Sequence, residues 1–376
     1  MACDGFPREL LGLPAAQRPA YFENYTMAHP RLTDAYQELM RAIYHAPGVS
    51  LIFVFGPTGV GKTTLLRRLI QKVIEAALPN LEVDRGRLPI VGIEAMSPEF
   101  GQFDWKDFYL RTLKALKEPL IEHKISYTDT KLKLRHALEA ALINRHPDAF
   151  YIDEAHHLGK LASGRKLKDQ PEALKSLSSL AKVRIVMVGT YDLLPLIDLG
   201  DQLCRRSKSI HFPRYYAKCD EDVFAFKSVL QTFQRHLPLK EEPDLVQHWE
   251  YCYERSIGCV GVLKDWLAQT LSAVLETTEK APTITLKNLE QLARPVRGCL
   301  TLLKAAQKGE KKLRDTQEEL DELQAAIGLD KRSILSNTQA TVSDQNRPDS
   351  APNSQKKRKQ VGKPNPKRYE VGGSSE

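Results

Sequence analysis

Residues 51–64 of this 376-residue chain read LIFVFGPTGVGKTT, and this stretch decides the fold. An apolar run leads into a glycine-rich turn that ends in Gly-Lys-Thr, and an amphipathic helical pattern follows. The turn matches G-x-x-x-x-G-K-[ST], the Walker A pattern, between the strand and the helix that it requires. A simple strand-to-helix turn needs neither the lysine nor the threonine. The stretch therefore predicts a site for a nucleoside triphosphate.

The residues of this loop have separable roles. Glycines let backbone N–H groups approach phosphate oxygens with no Cβ in the way. The helix that starts near Lys62 adds the positive potential of its N-terminal end. We expect Lys62 to reach the β- and γ-phosphates of ATP and the Thr63 hydroxyl to hold Mg²⁺. The predicted nucleotide-binding residues of the loop are Gly56, Pro57, Thr58, Gly59, Val60, Gly61, Lys62, Thr63 and Thr64.

Residues 148–154, DAFYIDE, form an apolar strand that ends in two acids, the Walker B arrangement. We expect Asp153 to bind Mg²⁺ and Glu154 to orient and deprotonate the attacking water. A strand end that meets solvent would give the same pair, but the loop upstream favours a catalytic site. His156 and His157 follow, and no further metal ligand is found at useful spacing. We therefore interpret this pair as a helix start or a nucleotide-sensing contact.

Four further residues are candidates from their place in the chain. Thr190 follows the strand at 183–188 and is predicted to contact the γ-phosphate or the lytic water, with a strand-ending turn as the alternative. Arg205 and Arg206 precede the last strand. They suit an arginine finger supplied to a neighbouring subunit, and a solvated basic turn fits equally well. Lys264 opens a later helix and is predicted to point back at the phosphates as a lid sensor.

Alternating apolar runs and helical patterns predict an α/β fold with a five-stranded parallel sheet, followed by an all-helical lid. The predicted strands are 51–55, 90–94, 149–153, 183–188 and 209–212. Residues 1–30 are rich in proline and aromatic residues and suggest an extended arm. Residues 25–31 are candidates for an adenine pocket, and simple packing against the core fits them equally well. The predicted organisation is an arm and helix (1–45), a nucleotide-binding core (46–215), a helical lid (220–304), a charged exposed helix (305–330) and a disordered basic tail (331–376).

Composition limits the function classes. With 42% hydrophobic and 27% charged residues, the chain has the balance of a soluble globular protein. It has no apolar run of about 20 residues and no secretory signal pattern, so we expect a cytoplasmic protein without a membrane partner. The six cysteines fit neither a zinc site nor a disulfide scaffold. Most of the net charge of +8 lies in residues 331–376. Contact with a phosphate backbone, docking to a partner and simple solubility are three alternative roles for this basic segment.

These motifs together resemble an AAA+ ATPase, and the sequence around them is similar to the TnsC/TniB transposition regulators. The likeness spans about residues 20–305. It rests on IEAMSP after the second strand, YIDEAHHL at Walker B, VGTYDLLPLID after the fourth strand and CRRSKSIHFPRY around the fifth. Lys264 departs from the pattern, because many such ATPases carry arginine there.

The resemblance implies a function. ATP-bound subunits of this family assemble head-to-tail into rings or filaments around double-stranded DNA, without sequence preference. The assembly links a target-selector protein of the TniQ/TnsD type to the transposase, and hydrolysis disassembles it. The DNA-facing surface of the family corresponds to residues 96–133 here, where Lys106 and Lys131 are our candidate DNA contacts. A solvated helix face explains these lysines equally well.

Two other classes stay open. The first is an origin-recognition or loader-type AAA+ replication ATPase. Such proteins usually append a winged-helix DNA reader, for which residues 305–376 offer too little apolar periodicity. The second is a signalling P-loop NTPase that does not bind DNA. Such proteins normally carry a sensor or repeat domain, and no internal repeat is visible in this sequence.

Overall fold

The computed structural model describes residues 5–98, 103–118, 130–159, 165–197, 201–277 and 283–329, with the backbone alone for 165–170, 201 and 202. The chain divides into two units, Met1–Arg314 and Asp315–Glu376. The predicted disordered tail at 331–376 lies outside the described residues. Within the described part, no helix combines the length and the apolar character that crossing a membrane requires.

All five strands lie in the first unit and form one parallel sheet in the order β2-β3-β4-β1-β5. The predicted five-stranded parallel sheet is confirmed. The last strand begins two residues earlier than predicted, because Ser207 already pairs with Leu51 of the central strand. The strands are β1 (Leu51–Phe55), β2 (Ile90–Glu94), β3 (Ala149–Asp153), β4 (Arg184–Gly189) and β5 (Ser207–His211).

Fourteen α-helices are described in the two units together. They are α1 (Arg18–Asn24), α2 (Pro30–Tyr44), α3 (Lys62–Leu81), α4 (Trp105–Ala115), α5 (Lys131–Arg145), α6 (Arg165–Ala181), α7 (Leu194–Ile197), α8 (Asp201–Arg206), α9 (Asp220–His236), α10 (Trp249–Ser256), α11 (Val260–Thr277), α12 (Leu286–Leu292), α13 (Val296–Lys312) and α14 (Gln317–Ala326). Short 3₁₀ turns lie at Arg8–Gly12, Ala15–Gln17, Ala155–Leu158 and Tyr191–Leu193.

The central strand β1 is buried along its whole length, as expected for a parallel sheet with helices on both faces. Its side chains alternate between two cores. Phe53 packs with α4, α5 and α6 on one face, whereas Val54 packs with α2 and α3 on the other. Because every strand runs in the same direction, the segments that follow β1, β3 and β4 meet at one edge of the sheet.

The N-terminal arm is a part of the lid core and carries short helices, where the sequence suggested an extended chain. Phe22 of α1 is completely buried, and its ring meets Phe233 of α9 edge-to-face at 5.7 Å. Arg31 of α2 also forms an ion pair with the buried Asp222 of α9, with N–O distances of 2.7 and 2.8 Å. Tertiary packing therefore stabilises helical turns that their proline-rich sequence does not favour by itself.

The charged segment at 305–330 is not one exposed helix. Helix α13 continues through it to Lys312 and buries Ala306 and Gly309, and Gly309 lies directly against the ring of Tyr191. A new helix, α14, then begins with a capping box between Thr316 and Glu319. No side chain of α14 is buried within its own unit.

Candidate functional site

The Walker A loop connects β1 to α3 in the geometry that phosphate binding requires. Gly61 precedes the helix with φ of 112°, a left-handed conformation that glycine adopts without strain. A Cβ at Gly56 would collide with the carbonyl oxygen of Phe212. Both positions therefore require glycine, and the loop leads directly into the N-terminus of α3, the end of a helix that favours anions.

Lys62 is held inside this loop. Its side chain is buried, and Nζ donates to the carbonyl oxygens of Gly56 at 3.1 Å and Pro57 at 2.9 Å. These bonds use two of the three N–H donors of the ammonium group. Burial lowers the pKa of Lys62, and the charges of Glu154 and Asp153 oppose that shift. The lysine and the two acids therefore belong to one electrostatic site.

The two acids stand at the carboxyl end of β3. Burial raises the pKa of Asp153, while the backbone N–H of Glu154, which donates to Oδ1 at 2.9 Å, acts in the opposite direction. Glu154 has φ of 49°, in the left-handed region that costs a non-glycine residue energy. In this conformation its carboxylate faces His156, and Oε2 of Glu154 lies 3.0 Å from Nδ1 of His156. This neighbour holds the pKa of Glu154 below its ordinary value.

The backbone turn at Glu154 contradicts one expectation from the sequence. The sequence showed no further metal ligand at useful spacing from His156 and His157, but in the structure Glu154 is a third residue that could bind an ion. One ligand atom from each of the three residues lies within 4.8 Å of the others. The sequence spacing hid this, because only the left-handed backbone at Glu154 brings its side chain back over the turn Ala155–Leu158.

Thr190 lies at the carboxyl end of β4, on the same sheet edge as the Walker motifs. Its hydroxyl accepts a bond from the N–H of Asp192 and caps the following 3₁₀ turn. The hydroxyl proton is still available as a donor. The structure is therefore compatible with both interpretations that the sequence left open, and the catalytic role stays a prediction.

The lid contacts the phosphate loop through its backbone, and Lys264 lines the small cavity beside the loop. The N–H of Val262 donates to the carbonyl oxygen of Gly59 at 3.2 Å, and Gly261 packs directly on Gly59. Lys264 instead donates from Nζ to the carbonyl oxygen of Glu23 in the arm, at 2.6 Å. Sequence reasoning missed the contact of Val262. The only signal for it was the glycine spacing in SIGCVGV, residues 256–262.

A small cavity adjoins the loop where arm, lid and α3 meet. The predicted adenine-pocket segment contributes Tyr25, Met27 and His29, and the lid contributes Phe233. The cavity measures about 40 Å³, room for a few water molecules and less than a purine needs. Burial lowers the pKa of His29 to about 4. A base could enter only if arm and lid moved apart.

Arg205 and Arg206 lie at the amino end of β5, opposite the loop. Both are exposed, and with Lys182 and Arg184 they line a basic cleft at that edge. A five-residue strand is roughly 16 Å long, so these guanidinium groups are remote from the phosphate loop of their own chain. This arrangement is compatible with an arginine finger that reaches the nucleotide of a second subunit. Neither arginine is close enough to act on the nucleotide of its own chain.

The two candidate DNA contacts each open a helix. Lys106 lies in the first turn of α4 between Asp104, which caps the helix, and Asp107. Both of these acids and Glu94 line a cavity of about 320 Å³ beside the end of β2. Lys131 is the first residue of α5 and is exposed. Lys106 is therefore surrounded by carboxylates, which weaken the attraction of this surface for DNA phosphates.

Comparison with known proteins agrees with this architecture. Residues 48–197 match the family model described as an AAA domain. The Aeropyrum pernix ORC1 protein in complex with DNA is similar, with a TM-score of 0.50 and 16% identity over 78% of this chain and 70% of that one. Two further solved structures are similar. They are the Aeropyrum pernix ORC2 protein in its ADPNP–ADP complexes (TM-score 0.49, 16% identity, 73% and 71% covered) and Cdc6p from Pyrobaculum aerophilum (TM-score 0.46, 14% identity, 77% and 89% covered). No curated protein matches the chain in sequence. The fold is that of the AAA+ proteins.

Proposed function

We propose that this AAA+-fold protein is an Mg²⁺-dependent ATPase that assembles on double-stranded DNA and regulates transposition. The observation that carries the nucleotide part is the meeting of three predicted groups at one sheet edge. Lys62 is buried, and the charges of the partly exposed Glu154 and Asp153 both oppose the fall in its pKa that burial causes. Such an arrangement is typical of a site built around a bound anion and a divalent cation.

The donor set fits ATP and Mg²⁺. The loop amides and Lys62 would hold the phosphates, and the Thr63 hydroxyl and the Asp153 carboxylate are oxygen ligands of the kind that Mg²⁺ prefers. Glu154 is ionised at neutral pH, because His156 lowers its pKa further below the ordinary value of 4.5, and a base that takes a proton from water must be ionised. Thr190, at the end of the neighbouring strand, would orient that water.

Assembly would be head-to-tail. The loop lies at the carboxyl edge of the sheet and Arg205 and Arg206 at the amino edge, so a finger reaches a phosphate only across a contact between two chains. A contact between two different faces repeats from subunit to subunit, which produces rings or filaments. Nucleotide binding and self-assembly would then depend on each other.

The transposition part of the proposal rests on the sequence resemblance to TnsC/TniB regulators. It assigns the chain a target-selector protein of the TniQ/TnsD type and a transposase as partners. An origin-recognition type of replication ATPase is the second candidate, because the ORC1 protein has a similar fold. The two candidates differ in their DNA preference. Transposition regulators of this type bind arbitrary duplexes, whereas an origin-recognition protein would prefer particular sequences.

The test combines ATP turnover with duplex binding. We expect Glu154→Gln to retain ATP and DNA while losing turnover, and normal turnover in this variant would remove Glu154 from its proposed role. Lys106→Ala with Lys131→Ala should weaken binding to an arbitrary duplex and flatten the dependence of log K on log salt by roughly two, since each phosphate contact contributes about 0.9. The matched control replaces two exposed lysines, Lys218 directly before the lid and Lys240 within it.

The salt slope also tests where the DNA surface lies. An unchanged slope in the Lys106 and Lys131 variant, together with a reduced slope in the lid control, would move the DNA surface to the lid. Strong preference for one duplex sequence would favour the replication candidate. Active turnover with no DNA binding at low salt would favour a signalling NTPase.

A further inference from the structure

We infer that Glu154, His156 and His157 form a binding site for a divalent transition-metal ion such as Zn²⁺. The three residues follow one another as E-A-H-H at the end of β3. The site itself is argued from geometry alone. Its regulatory consequence rests on the role proposed above for Glu154.

The spacing of the ligand atoms suits a small ion. Oε2 of Glu154 lies 3.0 Å from Nδ1 of His156, the imidazole rings of His156 and His157 have centroids 4.3 Å apart, and all three ligand atoms lie within 4.8 Å of one another. In a tetrahedral site with metal–ligand bonds of about 2.0–2.1 Å, ligand atoms are roughly 3.3–3.5 Å apart. The longest separation must therefore shrink by about 1.5 Å or less, which requires a rotation of the partly exposed Glu154 and His157 side chains.

His156 provides the fixed point of the site. Its side chain is 10% exposed, and Nδ1 is shielded from solvent. Although this nitrogen is close to the Glu154 carboxylate, the pair lacks the alignment of a hydrogen bond. A buried imidazole nitrogen in this condition is costly, and a bound cation between the nitrogen and the carboxylate would satisfy both.

The ligand types select the ion. Two imidazoles and one carboxylate, with a fourth position open to solvent, are the protein ligands found in catalytic zinc sites. Imidazole suits Zn²⁺, Ni²⁺ and Cu²⁺, whereas Mg²⁺ prefers oxygen ligands and keeps its water. This site therefore differs in chemistry from the neighbouring oxygen ligands Thr63 and Asp153. Because Glu154 and His157 are half-exposed, the ion has an entry path from the solvent side.

Occupation of the site would switch off hydrolysis. A carboxylate that coordinates a cation is a much weaker base and is held toward the ion, so Glu154 would no longer take a proton from the attacking water efficiently. The phosphate loop, which does not contribute to the site, would still bind nucleotide. A chain that has bound zinc would thus remain in its ATP-bound, assembled state, as we expect for Glu154→Gln.

The direct test uses the full-length, untagged, metal-free protein without nucleotide. We expect Co²⁺ to give the visible absorption of a tetrahedral site at one ion per chain, and Zn²⁺ to displace it. His157→Ala and His156→Gln should each weaken binding by more than the roughly 10- to 100-fold that loss of an outer-shell partner costs. The matched controls are His136→Ala on the exposed face of α5 and Cys204→Ser, an exposed free thiol.

Each outcome decides the inference. Unchanged Co²⁺ affinity in both histidine variants, or loss of binding in the Cys204→Ser control, overturns the site. Because His156 is buried, circular dichroism and thermal melting check its variant, and the half-exposed His157 provides the second, less disruptive substitution. Stoichiometric Co²⁺ binding in a protein that never hydrolyses ATP would refute the proposed function and leave the metal site standing. Active turnover that Zn²⁺ does not inhibit, with Co²⁺ binding intact, would refute the regulatory role alone.

Discussion

Replacing Glu310 by alanine removes the carboxylate that joins the end of α13 to the segment after β5. In the intact protein, Nε of Arg214 lies 2.8 Å from Oε1 of Glu310, and Nη2 lies 3.3 Å from Oε2. The two side chains are 9% and 11% exposed, so this two-pronged pair is nearly buried. Although burial opposes the charged form, the bond to Glu310 raises the pKa of Arg214. Because an arginine side chain keeps its proton in proteins, Arg214 stays charged when its partner is lost.

The expected cost follows from what remains around that charge. Removing one member of a buried ion pair usually destabilises a protein by about 3–5 kcal/mol. Arg214 would keep two neutral acceptors, the carbonyl oxygen of Ile257 at 3.2 Å and the hydroxyl of Tyr253 at 3.3 Å. We therefore expect the free energy of unfolding to fall by about 3 kcal/mol, the lower end of that range. At roughly 2–4 °C per kcal/mol for a domain of 150–250 residues, the melting temperature should fall by about 6–12 °C.

Differential scanning calorimetry of the full chain measures this shift. The control Glu241→Ala removes an exposed lid carboxylate and should stay within about 0.5 kcal/mol of the parent. The double variant Glu310→Ala with Arg214→Met should recover much of the loss, since it leaves no unpaired buried charge. Equal melting temperatures for Glu310→Ala and the parent would show that α13 does not depend on this pair, and the reasoning would fail.

Three further predictions concern the nucleotide site and its surroundings. Lys62→Ala should abolish the binding of a fluorescent ATP analogue, and retained affinity would refute the site. Burial holds the pKa of His29 near 4 in the folded protein, against 6.5 in the unfolded chain. Between these pH values the unfolded chain therefore binds more protons than the folded protein. The free energy of unfolding should fall by about 3 kcal/mol as the pH drops from 6.5 to 4. His29→Gln should remove this dependence in denaturant titrations, whereas the exposed His45→Gln should keep it. Arg205→Ala with Arg206→Ala should lower turnover in the assembled state by the roughly 10³- to 10⁵-fold attributed to an arginine finger, with ATP affinity of the monomer unchanged; normal turnover would leave these residues as a solvated turn.

The sheet and the phosphate loop could be read from the sequence because local patterns decide them. Apolar runs of five residues such as 51–55 can be buried only between two helical layers, and the Walker A glycines have few other uses. The arm could not be read in this way. Its helical turn around Phe22 depends on Phe233, which is more than 200 residues away along the chain.

The details of the site depended on backbone conformations that residue identity does not reveal. Glu154 adopts a left-handed conformation that glutamate rarely takes, and this conformation brings it to His156 and His157. Lys264 lines the cavity beside the loop with its Nζ bonded to Glu23 of the arm, so its expected contact with the phosphates stays a prediction, and the lid backbone contact of Gly261 with Gly59 was not foreseen. Small residues and strained turns thus decided where the sequence analysis and the structure differ.

The separation of the phosphate loop from Arg205 and Arg206 has a consequence for kinetics. In the head-to-tail stack that we propose, an open row of n chains contains n − 1 completed sites, because one terminal chain receives no arginine. Turnover per chain would then rise with the length of the row and approach a plateau, and a closed ring would reach that plateau at once. The terminal chain would keep its triphosphate longest. In an open row, ATP would therefore be hydrolysed first in the interior chains and last at one end.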